Sequence, residues 1–262
     1  MSLLTEESNY IDVRGVSKTF TEQSNELNVL SSIDFSVKKG EFISIVGGSG
    51  CGKSTLLRIL SGLDTKHEGT VSIDGKEVTK PDKTRGVIFQ EARLFPWLSV
   101  IKNIEFALDE GDKKSRFQRA QESINLVGLT GFENNLPKQL SGGMAQRANI
   151  ARALVNNPRI LFLDEPFGAL DAFTKIQLQN ELLNIKEAEG STMIMVTHDI
   201  DEAVYLSDKI IVMERNPGRI RDIVNVDLPR PRNRNAYEFM QVRKRVFDYF
   251  FETKEVHEEY NI

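Results

Sequence analysis

Cysteine is almost missing from this chain. The one thiol, Cys51, has no second cysteine to pair with, so an intrachain disulfide is excluded and a reducing cytosol is the simplest setting. Long apolar runs are missing too. No window approaches the ~20 consecutive apolar residues that a bilayer-spanning helix needs. The first residues, Met1-Ser2-Leu3-Leu4-Thr5-Glu6-Glu7, lack the basic start and apolar core of a secretory signal. Neither sign of charge is in large excess. A net charge of −4 gives no general attraction to nucleic acid or acidic lipid, and no nucleic-acid partner is expected. Internal repeats and low-complexity tracts are absent. What remains is the composition of a soluble globular protein, 40% hydrophobic and 27% charged over 262 residues, enough for one large domain or two small ones.

Glycine, by contrast, is concentrated in one stretch: Gly47-Gly48-Ser49-Gly50-Cys51-Gly52-Lys53-Ser54-Thr55. An apolar run, Phe42-Ile43-Ser44-Ile45-Val46, precedes it and reads as a buried strand. Leu56-Leu57-Arg58-Ile59-Leu60 follows and reads as a helix. Strand, glycine-rich loop and Gly-Lys-Ser opening a helix form a phosphate-binding P-loop. Glycines let the backbone turn tightly with successive N–H groups pointing inward, and the helix N-terminus adds positive potential. Lys53 can reach the β- and γ-phosphates, and the Ser54 hydroxyl can bind Mg²⁺.

Around this loop the periodicity changes twice. Tyr10-Ile11-Asp12-Val13, Ile33-Asp34-Phe35-Ser36-Val37 and Gly69-Thr70-Val71-Ser72-Ile73 alternate as half-buried strands, with Asp74-Gly75 as a hairpin signal and Thr21 to Asn28 as a polar loop. They predict an antiparallel layer at one edge. Arg85 to Gln90 is a short strand. From about 91 to 157 strand signals vanish and helical spacing takes over, which predicts an inserted helical subdomain. Beyond it, Ile160 to Leu163, Thr192 to Val196 and Lys209 to Met213 are continuous apolar runs, as in parallel strands buried on both faces. The predicted class is α/β, a P-loop NTPase with a mainly parallel sheet core. Residues 1–9 are read as a disordered N-terminus, 10–226 as the nucleotide-binding domain and 227–262 as an extension. Phe239, Val242, Val246 and Phe250 predict an amphipathic helix there, docked on its own domain.

Two further segments carry chemistry. Asp164-Glu165 follows the buried run ending at Leu163, at the carboxyl end where ligands bind in an α/β sheet. Asp164 can hold Mg²⁺ across from Ser54, and Glu165 can polarise a water. Leu140-Ser141-Gly142-Gly143-Met144-Ala145-Gln146-Arg147 places Ser141 and Gly143 at a helix start, a second anion site in the same chain.

Together these motifs resemble the nucleotide-binding subunit of ATP-binding cassette (ABC) transporters. Gly47 to Thr55 is similar to that family's Walker A motif, Ile160 to Glu165 to Walker B, and Leu140 to Arg147 to the signature motif. Gln90, Ala169-Leu170-Asp171 and His198 fall where the family has its Q-loop, D-loop and switch histidine, and Phe20 where an aromatic stacks on adenine. The resemblance runs from about Ile11 to Val226. The family's usual Gln after the signature glycines is Met144 here. That exchange, with Gln90 to Leu98 and Leu228 to Arg232, resembles the branch importing nitrate, sulfonates and taurine.

The resemblance implies ATP and Mg²⁺ as cofactors and a head-to-tail homodimer with each ATP between one copy's P-loop and the other's signature. The cofactor-binding set is then Phe20, Gly47, Gly48, Ser49, Gly50, Cys51, Gly52, Lys53, Ser54, Thr55, Ser141, Gly142 and Gly143. The metal set is Ser54, Gln90 and Asp164. Glu165 is implied as general base, with Gln90 and His198 sensing the γ-phosphate. Transmembrane permease subunits are implied as partners, docked near Phe95 and Trp97, with an extracytoplasmic solute-binding protein as an indirect one. The expected location is the cytoplasmic side of the cell membrane, peripherally attached. The alternative is a soluble cassette ATPase of iron–sulfur assembly, which the Met144 branch resemblance argues against. A P-loop kinase would not carry the signature motif.

Overall fold

The computed structural model describes residues 9–22, 25–108 and 110–251. The expectations made for residues 1–8 and for the last part of the tail, 252–262, lie outside the described residues.

Two sheets organise the fold. The first is antiparallel, in the order β2-β1-β4-β5, from β1 (Ile11–Glu22), β2 (Asn25–Val37), β4 (Glu68–Ile73) and β5 (Lys76–Glu77). Its alternation has the expected cause: Ile11, Val13, Val16, Ile33, Phe35 and Val37 are buried, while Arg14, Ser32 and Asp34 between them are exposed. Asp74 and Gly75 both take positive φ, 52° and 70°, and close the β4–β5 hairpin. The stretch Thr21 to Asn28 departs from its reading as a loop. Thr19 pairs with Asn28, Phe20 with Leu27 and Thr21 with Glu26, so β1 and β2 continue as an extended ribbon. A two-stranded ribbon pairs alternate backbone groups across the strands and turns the others to solvent, so its side chains can be polar on both faces and leave no alternation to read.

The second sheet runs β10-β9-β3-β8-β7-β6. β6 (Arg85–Ile88), β7 (Ile160–Asp164), β8 (Thr192–Thr197), β3 (Phe42–Gly47) and β9 (Lys209–Glu214) are parallel, and β10 (Arg219–Asn225) closes the edge antiparallel. Every residue of β3, β7 and β8 is buried. Successive residues enter opposite cores, which is why the runs are continuously apolar. Phe42, Leu161, Leu163, Met193 and Met195 pack on one face with helical residues such as Ile104, Ile124 and Ile150. Ile43, Ile45, Ile160, Phe162, Ile194 and Val196 pack on the other, against α1 (Lys53–Ser61) and the antiparallel sheet.

Between β6 and β7 come α2 (Val100–Ala107), α3 (Lys113–Leu126) and α4 (Gly142–Leu154), with no strand among the described residues there. α5 (Ala172–Glu189) and α6 (Ile200–Leu206) flank β8. The tail helix α7 (Tyr237–Phe251) buries Phe239 and Val246 in a third core with Ala203, Val204, Val224 and Val226. Arg232 fastens the segment leading to it. Its guanidinium donates to the carbonyls of Val204, Ser207 and Val226 at 2.7, 2.6 and 3.1 Å, and burial lowers its pKa to about 10.

Candidate functional site

The parallel ladder sets the site. Val46 is in register with Thr197, and Asp164 with Val196, so β3, β8 and β7 end side by side. The phosphate loop, the acid pair and His198 leave these ends within a residue or two of the last ladder pair. This is the carboxyl edge at which open α/β sheets bind ligands.

Gly52, with φ of 90°, turns the chain from loop to α1; a Cβ there would also lie 2.6 Å from Leu30 Cδ2. As N-cap it brings no side chain to the first turn of α1, whose N–H groups are left facing the loop. The helix starts of α4, α5 and α6 differ, being capped by Ser141, Asp171 and Asp199. Lys53 is buried and its ammonium donates to the carbonyls of Gly47 and Gly48 at 2.8 and 3.2 Å. It is thus folded over the loop, while Gly48, Ser49, Gly50 and Ser54 are exposed.

Ser54 Oγ donates to Asp164 Oδ1 at 3.0 Å. Burial pushes the Asp164 carboxyl up, more than the Ser54 bond and the nearby Arg58 and Lys53 charges pull it down. Glu165 then breaks out of β7 with φ of 45°, its N–H donating to Val196 O at 2.9 Å. Its carboxylate meets two partners from other strands. Gln90 Nε2 donates to Oε2 at 3.0 Å, and His198 Nδ1 lies 3.3 Å from Oε1. Positive φ in a glutamate is uncommon and costs of order 1 kcal/mol or more, which neighbouring structure must sustain.

The other expected residues stand apart. Phe20 lies exposed on β1, with the Lys18 ammonium 4.7 Å from its ring centroid. Ser141 Oγ accepts from Met144 N at 3.2 Å, which leaves its O–H free to donate. Gly143 sits where a Cβ would be 3.1 Å from Ala169 O, so the α4 start packs on the Ala169-Leu170-Asp171 loop. Asp171 caps α5 by accepting from Phe173 N and Thr174 N, and the Thr174 hydroxyl holds its carboxyl below the usual range.

Sequence reasoning passed over two supports. Lys175 Nζ bridges Asp199 Oδ2 and Glu202 Oε1 at 2.6 and 2.7 Å, tying α5 to the residue after His198. Its only sequence trace is a basic residue spaced a turn after Asp171, which reads as solvated. Gly218 lies in the turn between β9 and β10. It also seats that turn against the phosphate loop, since a Cβ there would run into the Cys51 carbonyl and approach Val29 O, and Gly218 N donates to Val29 O at 3.0 Å. No sequence signal separates that role from an ordinary turn glycine.

A phosphate loop opening a helix, with a serine hydroxyl bonded to an acid at the end of the next strand but one of the same parallel sheet, defines a P-loop nucleoside triphosphatase. A family model described as ABC transporter matches residues 30–168. The chain is 50% identical over 240 residues to the aliphatic sulfonates import ATP-binding protein SsuB of Bacillus cereus, covering 92% of this chain and 95% of that one. It is 47% identical to the SsuB of Bacillus subtilis, over 91% of this chain and 93% of the other. Among solved structures, a dimeric post-hydrolysis state of the ATP-binding cassette MJ0796 bound to ADP and Pi superposes with a TM-score of 0.77 at 34% identity, covering 84% of this chain and all of that one. The chain belongs to the ABC transporter family, as the ATP-binding, ATP-hydrolysing subunit of an importer.

Proposed function

We propose that this subunit drives uptake of a small organic anion of the aliphatic sulfonate type. The support is its similarity to relatives named for that import. Two copies pair head to tail, each ATP lying between the P-loop of one and the Ser141-Gly142-Gly143 start of the other. The dimeric cassettes among its structural relatives support the pairing. Residues 10–226 act as the cassette, with 91–157 as the inserted helical subdomain and 227–262 as the extension. No helix of the described residues is long and apolar enough to cross a membrane. Transport therefore needs a permease, which we place against the exposed Trp97 and its neighbours Phe95 and Phe106, with the subunit on the cytoplasmic face. The Phe95 ring centroid lies 5.6 Å from that of Trp97, tilted, and 4.6 Å from that of Phe106, edge-on, and buried Asn103 fixes the loop by bonding the Phe95 N–H and carbonyl. A solute-binding protein would deliver the anion from outside.

The proposed chemistry starts at the loop. Its amides and Lys53 hold the β- and γ-phosphates, and Phe20 stacks on the adenine. Ser54 and Asp164 suit Mg²⁺: they are hard oxygen donors in contact, and Asp164 is a buried acid whose charge is costly without a cation. Among the described residues no three His, Cys, Asp or Glu side chains gather at one point, so phosphates, water and the Gln90 amide would complete the shell. Bound there, Mg²⁺ would neutralise charge on the phosphates. Glu165 takes the proton from the attacking water as the water oxygen bonds to γ-phosphorus and the β–γ bridging oxygen leaves with its electron pair on ADP. Gln90 and His198 hold the two carboxylate oxygens and register the γ-phosphate. Positioning is the larger part of such catalysis.

One observation carries this reading: the strained Glu165, held by Gln90 and His198 from two other strands. Glu165→Gln is expected to bind ATP normally, to lose at least a hundredfold in hydrolysis, on the order of a lost general base, and to accumulate as an ATP-bound dimer on size exclusion. Wild-type turnover by that variant removes Glu165 from the role. Uptake by the reconstituted transporter, compared across sulfonates, taurine and nitrate, tests the solute.

A further inference from the structure

Gln90 and Glu165 must meet at a fixed spacing, yet they leave different strands and Gln90 lies on an exposed loop. The support behind them comes from α4. Gln146, Asn149 and Arg152 recur every three residues and form one polar stripe on a helix face that is otherwise buried with Ile150 and Leu154. Gln146 is 2% exposed. Its Nε2 donates to Phe89 O at 3.1 Å and to Pro166 O at 3.2 Å. Phe89 immediately precedes Gln90, and Pro166 immediately follows Glu165. An amide has two N–H donors, and both are used on these carbonyls. Asn149 fixes the orientation, since its Nδ2 donates to Gln146 Oε1 at 3.4 Å and also to Phe89 O at 3.3 Å. Arg152 continues the stripe, donating to Asn149 Oδ1 at 3.0 Å and to Arg93 O at 2.6 Å. The loop holding Gln90 is therefore tied at Phe89 and again at Arg93.

We propose that Gln146 is a positioning residue for ATP hydrolysis. One side-chain amide joins the backbone before Gln90 to the backbone after Glu165, and so sets the gap across which those two side chains meet. This rests on the reading of Glu165 as base with Gln90 as its partner. A purely structural amide would fill the same hydrogen bonds, but its loss would act through stability and not through Gln90.

The test is a double-mutant cycle on the full chain, read by single-turnover ATP hydrolysis so that slow rates stay measurable. Gln146→Met keeps the side-chain length and removes both donors. Gln146→Asn keeps an amide that is one methylene too short to span both carbonyls, and it is the measured variant if the Met protein does not fold. Either change is expected to lower the hydrolysis rate constant by about tenfold or more, the size of effect that a small misplacement near the chemistry produces. Binding of a fluorescent ATP analogue should change less than about twofold, because Lys53 and the loop are untouched. In the Gln90→Ala background the same change should cost less than about twofold, since coupled residues are non-additive. An equal fold-loss in both backgrounds, or a rate loss that matches the loss of folded protein, overturns the positioning role and leaves Gln90 and Glu165 theirs. Wild-type rates in both Gln90→Ala and Glu165→Gln overturn the underlying reading, and Gln146 with it.

Discussion

Replacing Lys175 with Met tests how the segment after β8 is held. Its ammonium pairs with Asp199 and Glu202, and Glu202 accepts a further bond from Thr197 Oγ1 at 2.6 Å. The two acids respond in opposite directions. Burial raises the Glu202 carboxyl more than Lys175 and Thr197 lower it. For Asp199, burial is outweighed by the Lys175 bond and by the Glu202 N–H, and its carboxyl sits below the usual range. Glu202 is the deeper of the two, which accounts for the difference. Removing the ammonium leaves a buried carboxylate without a cation. Breaking a fully buried pair costs ~3–5 kcal/mol. The side chains of Lys175 and Asp199 are 24% and 32% exposed, so water screens part of that, and the loss expected at pH 7 is about 2 kcal/mol. In a domain of this size that lowers Tm by ~4–8 °C. The pH dependence has a definite sign. Glu202 is raised above its unfolded value, so its ionised form opposes folding. Without Lys175 it rises further and takes up a proton, and the deficit of the variant shrinks as pH falls from 7 toward 5. Lys175 is raised by Asp199 and Glu202 against the lowering effect of burial, so its own contribution is complete at neutral pH and disappears only above ~10.4. Thermal unfolding at the two pH values measures both. A deficit below about 1 °C at pH 7, or one that grows on acidification, refutes the argument.

Three other variants probe separate links. Gly218→Ala puts a methyl against the Cys51 and Val29 carbonyls, so it should destabilise by ~1–3 kcal/mol and weaken ATP-analogue binding; titration unchanged from wild type would show that the turn does not support the loop. Asp208→Asn removes a carboxylate that burial raises but that the Phe42 N–H at 2.8 Å, Arg230 and Lys186 together hold below its usual range. It should cost ~1–2 kcal/mol at pH 7, since the pair is partly solvated, and wild type and variant should converge as pH falls below the unfolded value of ~3.9; a gap that persists at lower pH would show the effect is not electrostatic. Trp97→Ala removes a side chain that is 71% exposed. Folding stability should stay within ~0.5 kcal/mol while co-purification with the permease is lost, and intact assembly would move the docking surface elsewhere.

What could be read from the sequence was whatever follows a fixed period or sits at a fixed offset. The buried strands β3, β7 and β8 were legible because both faces are covered, so each reads as an unbroken apolar run. The start of α4 was legible from Ser141, which caps it by accepting from Met144 N. The contact of Ser54 with Asp164 could be anticipated because Asp164 ends one parallel strand and Ser54 opens the helix that the phosphate loop joins to another, at the same edge of the sheet. The β1–β2 ribbon was not legible, since its outer half buries little and the hydrogen-bonded pairing leaves no mark on side-chain type. The supports were hidden for a different reason. Gln146 and Lys175 are polar residues on helices, and what distinguishes them from solvated ones is the carbonyl or carboxylate brought to them by a remote strand.

These supports share a direction. Gln90, Glu165 and His198 all lie just past the ends of strands whose ladders hold them rigidly, so only the connecting loops can alter their spacing. Both sets of loop contacts lead back to the segment opening at Ser141. Along α4, Gln146 reaches Phe89 beside Gln90 and Pro166 beside Glu165. At the start of α4, Gly143 packs on Ala169, Asp171 caps α5, and Lys175 on α5 holds Asp199 beside His198. A contact made at Ser141 therefore has a continuous packed path to each of the three residues. Contiguity alone is not coupling, but it makes the Gln146 and Lys175 variants complementary. The first severs the path to Gln90 and Glu165, and the second severs the path to His198. If Ser141 meets the nucleotide of a second copy, each variant should reduce the cooperativity of hydrolysis with ATP concentration, and losing both links should abolish it while each subunit still binds ATP.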